Sequence, residues 1–223
     1  MQCPCDRRRT TIPLLRDRLA LAKAQAVLNF DNLTLPNYGI VPAGYGSTLD
    51  PHLASVGYRT FNGATNVTYS NDVEFWNADY GDLTKVIYAS NNGYAAELTL
   101  VPAAGYGIRL LSFDMAGYSH QDRTNSTMRL TDANGNVLFD YAAAGPVLIQ
   151  GDSNGPLHST FTPNFLQPGA LSLQWGNDWN IGLDNIQFQV VALNGVPEPA
   201  TGSLLGFGAV ALAWLARRRG TRG

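Results

Sequence analysis

Apolar and polar residues alternate with a period of two along the middle of the chain, and no stretch there shows the wider spacing of an amphipathic helix. Segments 27–30, 57–61, 73–76, 86–89, 96–101, 108–115, 128–131, 137–141, 171–175 and 183–191 carry this alternation or a short β-branched and aromatic run. Clusters of Asn, Gly, Asp and Pro separate them, residue types suited to turns. The clearest is Asp132-Ala133-Asn134-Gly135-Asn136, a hairpin signal because Asn-Gly readily takes positive φ. Asn91-Asn92-Gly93 and residues 102–107 read as turns for the same reason. The pattern predicts an all-β domain over 27–195, a single β-sandwich of jelly-roll type, with a barrel as the alternative. No internal repeat points to a propeller or solenoid.

One segment departs from this pattern. Residues 200–216 are apolar on all sides and run into Arg217-Arg218-Arg219. As a helix they would measure about 26 Å at ~1.5 Å per residue, at the short end of the ~17–25 residues that span a bilayer. A short C-terminal transmembrane helix is therefore expected. Arginines that follow an apolar span stay on the cytoplasmic side, so Arg217, Arg218 and Arg219 would act as a membrane stop. Everything before Pro197 would then lie across the membrane.

Val196-Pro197-Glu198-Pro199-Ala200-Thr201 precedes this segment. The order Pro-Glu-Pro, small residues, Trp-containing apolar run and triple Arg resembles the PEP-CTERM sorting tail of Gram-negative bacteria. The resemblance covers Val196 to Arg219 only. It implies that Pro197, Glu198 and Pro199 form a sorting motif read by an exosortase, and that the membrane holds the tail during sorting. It also implies an exported protein destined for the cell surface or extracellular matrix. This is routing, not chemistry.

Export calls for an N-terminal leader with a basic region, an apolar stretch and a small-residue cleavage site. Residues 1–26 supply Arg7, Arg8 and Arg9, and cleavage sites at Ala22-Lys23-Ala24 or Ala24-Gln25-Ala26. Arg16, Asp17, Arg18 and Lys23 interrupt the apolar stretch, so the leader reads as atypical, or its start as misassigned. The two cysteines, Cys3 and Cys5, both fall in it; with one residue between them they are poorly placed to bridge each other.

With both ends set aside, five basic residues face fifteen acidic ones between 27 and 198, a formal charge of −10 against −2 for the whole chain. Such a domain repels nucleic acid and suits neutral polysaccharide, cations or a basic partner.

Two places carry candidate chemistry. Phe30-Asp31-Asn32-Leu33 and Leu183-Asp184-Asn185-Ile186 are similar segments on the first and last predicted strands. Asp184 falls on the same period-2 row as Ile186, Phe188 and Val190, so its carboxylate needs a partner. If those strands lie side by side, Asp31 and Asp184 are candidate ligands of a structural calcium; two Asx turns bonded to their own backbone are the plain alternative. The second place is aromatic. Trp76 alternates with Glu74 on a polar face, and the loop Trp175-Gly176-Asn177-Asp178-Trp179-Asn180 offers Trp179 and Asp178. Aromatic faces with amides and carboxylates suit a sugar ligand, so Trp76, Trp179 and Asp178 are candidate binding residues. Trp175 continues the row of Leu171 and Leu173 and reads as core.

Catalytic signals are weak, and the domain reads as a binding or structural module. His52, His120 and His158 show no metal-ligand spacing, and Ser119-His120-Gln121-Asp122 is a loop cluster. The enzymatic alternative is a glycan hydrolase using two carboxylates, with Glu74 and Glu97 as the nearest pair to consider.

Overall fold

The structure is a computed structural model that describes residues 24–193. The leader with Cys3 and Cys5, the sorting motif Pro197-Glu198-Pro199, the apolar segment and Arg217–Arg219 lie outside the described residues. Sixteen strands are described: β1 (Ala26–Leu28), β2 (Gly39–Ile40), β3 (Leu53–Phe61), β4 (Thr68–Ser70), β5 (Glu74–Trp76), β6 (Val86–Tyr88), β7 (Ala95–Pro102) and β8 (Tyr106–Gly117) come first. They are followed by β9 (Arg123–Asn125), β10 (Met128–Asp132), β11 (Val137–Asp140), β12 (Val147–Ile149), β13 (Ser159–Phe161), β14 (Phe165–Pro168), β15 (Leu171–Trp175) and β16 (Ile181–Ala192). No helix long and apolar enough to cross a membrane occurs among the described residues.

The strands form two antiparallel sheets and a small β9–β12 ribbon. In the first sheet β8 and β16, each twelve residues long, pair in the middle. Beyond β8 lie β13 and β14; beyond β16 lie β1 and, in turn, β6, β5 and β2. The second sheet runs β11-β10-β15-β7-β3-β4. Successive long strands change sheets, β6 to β7 to β8 to β10 and β15 to β16, which closes one sandwich around one core. The inward residues Leu98, Leu100, Leu171 and Leu173 meet Leu110 and Ile186 across a residual space of about 10 Å³, no larger than a single water.

All ten segments that alternate in the sequence are strands. The six others, β2, β4, β9, β12, β13 and β14, are two to four residues long and largely lie at sheet edges, with too little buried face to imprint a pattern. β1 starts at Ala26, a core residue opposite Phe188, so the domain reaches one residue into the expected leader. The 132–136 hairpin differs from expectation in one detail. Only Gly135 takes positive φ (79°), and Asp132 carboxyl Oδ1 accepts from the N–H of Asn134 and of Asn136. The connection is a three-residue loop with a glycine bulge, not a two-residue turn.

The outward face of the second sheet carries a continuous polar row, Arg129, Gln174, Glu97 and Arg59, aligned across four strands. Glu97 receives both Arg59 Nε (2.6 Å) and Nη2 (2.8 Å), and the Gln174 amide also donates to it. Arg129 Nε in turn donates to Gln174 Oε1 at 2.5 Å. Gln174 is fully buried and Glu97 nearly so, so each relies on the others for partners that water cannot supply. Glu97→Ala is expected to lower the unfolding free energy of the full chain by about 3 kcal/mol, read from urea midpoints. A loss under about 0.5 kcal/mol, as at an ordinary surface position, would show that the row is not held together by this carboxylate.

Candidate functional site

β5 and β6 turn one residue inward and two outward. Phe75 and Ile87 are core; Glu74 and Trp76 on β5 face outward beside Tyr88 and Val86 on β6, in register. On this outward face a second, smaller apolar cluster forms from Tyr80, Leu83, Val86, Tyr88 and Ala116, with Trp76 and Tyr118 against it. The 77–85 loop folds over the sheet to supply Tyr80 and Leu83. Gly81 (φ 56°) makes this approach possible, because a Cβ there would collide with the Leu157 carbonyl.

Above this cluster opens a cavity of about 430 Å³. Six aromatic side chains line it, Tyr38, Trp76, Tyr80, Tyr88, Tyr118 and Trp179, together with Glu74, Ser90, Asn91 and Asn92. The rings hold one another mostly edge to face: Tyr38 on Trp76 at 4.8 Å, Tyr118 on Trp76 at 5.7 Å and Trp179 on Tyr118 at 5.0 Å. Trp179 is 39% exposed and Tyr38 67%, so large apolar faces remain open to solvent at the mouth. Trp76 Nε1 is buried without a hydrogen-bond partner among the described residues.

The loop that carries Trp179 is pinned along its length. Gly176 N–H donates to the buried Asn125 side chain (2.9 Å), and Tyr118 N–H donates to the Asn180 carbonyl (2.8 Å). The Tyr80 hydroxyl donates to the Trp179 carbonyl. Asp178 does not line the cavity. Its two oxygens accept from Asn180 N–H (2.7 Å) and Nδ2 (2.6 Å), which closes the loop on itself. Backbone strain gathers here too. Of the eight non-glycine residues at positive φ among the described residues, Tyr38, Asp79, Lys85, Ser119 and His120 all belong to segments that carry or flank the lining aromatics. Such strain persists where the surroundings over-determine the conformation, as in a preformed site.

Electrostatically the cavity is acidic. Tyr88 Oη donates to Glu74 Oε2 at 2.8 Å, and burial, reinforced by nearby Asp72, raises the Glu74 pKa against the lowering effect of that bond. Burial raises the Tyr80 and Tyr88 hydroxyls as well, and the charges of Asp178 and Glu74 add to the effect on Tyr80. Arg123 opposes them there, with its guanidinium donating to the Tyr118 carbonyl.

Of the residues singled out in the sequence, Trp76 and Trp179 come together, a hundred positions apart, while Asp178 acts as loop brace. Trp175 is core, its Nε1 donating to the Ile181 carbonyl. Glu74 and Glu97 stand in different sheets, and Glu97 is clamped by Arg59, so these two form no carboxylate pair. The 119–122 cluster does not converge: His120 faces Asp79 at 3.9 Å, while Asp122 accepts from the N–H groups of Gly151 and Asp152. Tyr38, Tyr88 and Tyr118 had no signal beyond being aromatic.

Asp184 requires a correction. A bulge at Asn185 (φ 53°) shifts the register of β16, so Leu183 and Ile186 both face the core and Asp184 aligns with Asp114 on the outward row. β1 does lie beside β16, and Asp184 is buried under the segment that follows it, accepting from the N–H of Phe30. Its Oδ1 has no hydrogen-bond partner among the described residues. Burial, with Asp31 and Asp114 nearby, pushes the carboxyl up to about 7. Asp31 itself is exposed, and the carbonyls of Asp31 and Leu33 already receive the Lys85 ammonium. Among the described residues no group of three or more His, Cys, Asp or Glu side chains could hold a metal ion.

An acid whose folded pKa is raised binds more protons folded than unfolded. Its penalty is absent below the unfolded value near 3.8 and complete above about 7, up to roughly 4 kcal/mol. The midpoint of thermal unfolding should therefore fall as pH rises from about 4 to about 7, and Asp184→Asn should flatten that slope. Calcium that restored the wild-type midpoint at alkaline pH, without effect on Asp184→Asn, would instead place a cation on this carboxylate.

The remaining observation is at the C-terminus. The family model of the PEP-CTERM protein-sorting motif matches residues 195–219. This chain carries a PEP-CTERM sorting tail. The protein is thus an exported one, anchored in the membrane through its tail during exosortase sorting. No curated protein sequence matches the chain. Among solved structures, it is similar to an isomalto-dextranase of Arthrobacter globiformis T6 complexed with panose, at 11% identity and TM-score 0.31, over 74% of this chain and 32% of that one. It is also similar to the enzymatically active domain of bacteriophage CBA120 tailspike protein 4, at 16% identity and TM-score 0.30, over 70% of this chain and 21% of that one. A third is TmCBM61 in complex with β-1,4-galactotriose, at 13% identity and TM-score 0.25, over 70% of this chain and 99% of that one. The PEP-CTERM chain thus spans about a third of the first and a fifth of the second. At these scores none assigns it a ligand or an activity.

Proposed function

We propose that the domain is a non-catalytic glycan-binding module, brought by its PEP-CTERM tail to the cell surface or the extracellular polysaccharide matrix. The observation that carries this reading is the aromatic cavity. Sugar rings present apolar faces that stack on Trp and Tyr, and hydroxyl groups that amides and carboxylates meet. Trp179 and Tyr38 offer open faces at the mouth, while Ser90, Asn91, Asn92 and Glu74 offer polar groups inside. The rings are braced before any ligand arrives, which reduces the entropy lost on binding.

Trp179→Ala in the full-length protein, purified in detergent, should weaken binding to a polysaccharide from the producing cells about 30-fold, with an unchanged melting midpoint. Equal binding by wild type and Trp179→Ala would remove the cavity from the account. Glycan hydrolysis by the wild-type protein would overturn its non-catalytic part.

A further inference from the structure

We infer that the cavity prefers a cationic amino sugar, a hexosamine unit with a free ammonium group, and that Glu74 is the residue that selects it. This deepens the glycan-binding reading and rests on it. A neutral sugar would need only stacking faces and amides; the lining holds a carboxylate as well. Glu74 Oε2 accepts from Tyr88, but among the described residues Oε1 receives no hydrogen bond and no Lys or Arg lines the cavity. The carboxylate is thus partly desolvated without a cation to balance it.

The surroundings favour positive charge over neutral hydroxyl. Six aromatic rings line the cavity, and a cation over the electron-rich face of such a ring is attracted by the ring quadrupole. Asp72 acts on Glu74 and Asp178 acts on Tyr80, so further negative charge bears on the walls. Arg123 donates to the Tyr118 carbonyl and does not line the cavity. An ammonium near Glu74 would complete an ion pair inside low-dielectric walls, stronger than the same pair in water. The sugar ring that carries it would stack toward Trp76 and Trp179. The free acyl-less amine is the discriminating group: an N-acetyl group removes the charge and adds bulk.

The test uses the full-length protein in detergent and three probes of matched length: oligomers of glucosamine, of N-acetylglucosamine and of glucose. Binding is measured by calorimetry at about pH 6, where the sugar amine is protonated. The expected result is glucosamine oligomers bound about tenfold more tightly than the other two. Glu74→Gln, which keeps an acceptor for the Tyr88 hydroxyl, should erase that preference, so that the glucosamine oligomers bind no more tightly than the other two. Raised salt should weaken only the glucosamine arm. Equal affinity for all three, or a preference that survives Glu74→Gln, overturns the amino-sugar inference and leaves the glycan-binding reading standing. Failure of every oligomer and polysaccharide to bind removes the underlying reading.

Discussion

The antiparallel pairing of β8 with β16 is the constraint on which the rest of this molecule depends. The two strands form the axis of the first sheet and supply Ile108, Leu110, Phe113 and Met115 on one side, and Leu183, Ile186, Phe188 and Val190 on the other, to the core. Every other strand of that sheet attaches to one of them directly or through β6 and β5. The same pairing fixes where chemistry occurs. Tyr118 follows the end of β8 and Trp179 precedes the start of β16, so the register that joins Ile181 to Gly117 also brings those two rings together. At the other end Ala192 joins Tyr106, and the chain departs toward its sorting tail.

Inside the sandwich, burial is almost wholly apolar; on its two outer faces, polar groups are handled in contrasting ways. The second sheet closes its polar row completely, with Glu97 shared between Arg59 and Gln174. The first sheet does not. Among the described residues Glu74 has one hydrogen-bond donor and no cation and Trp76 Nε1 has no partner, while Trp179 and Tyr38 keep open faces. A satisfied network holds a fold together, whereas an unsatisfied, preformed one is available to a ligand. That contrast is the physical ground for reading function on one face and architecture on the other.

The sandwich was legible in the sequence because its long strands are buried on one face and must alternate. β7, β8, β10, β15 and β16 announce themselves in this way. β13 and β14, which cover only the edge of β8, have no such obligation and left no pattern. Asp184 shows the limit of the period-2 rule: one residue at positive φ, Asn185, moves it from the expected core row to the outward one. Trp76 and Trp179 were visible as unusual aromatics on a polar face and in a loop. Their convergence with Tyr38, Tyr88 and Tyr118 depends on sheet order, which local spacing does not encode. The tail, by contrast, is written in consecutive residues, and Pro197-Glu198-Pro199 through Arg219 could be read directly.

We place the meeting of this exported domain with a glycan on the outward face of β5 and β6, with Trp179 above it. Chemical-shift mapping of the backbone and indole N–H groups on addition of an oligosaccharide tests it most directly. The expected perturbations centre on Tyr38, Glu74, Trp76, Asn91, Tyr118 and Trp179, with the indole signals of Trp76 and Trp179 among the largest. Shifts centred instead on Phe139, Phe161 and Phe165, which line a separate groove at the edges of the two sheets, would contradict it.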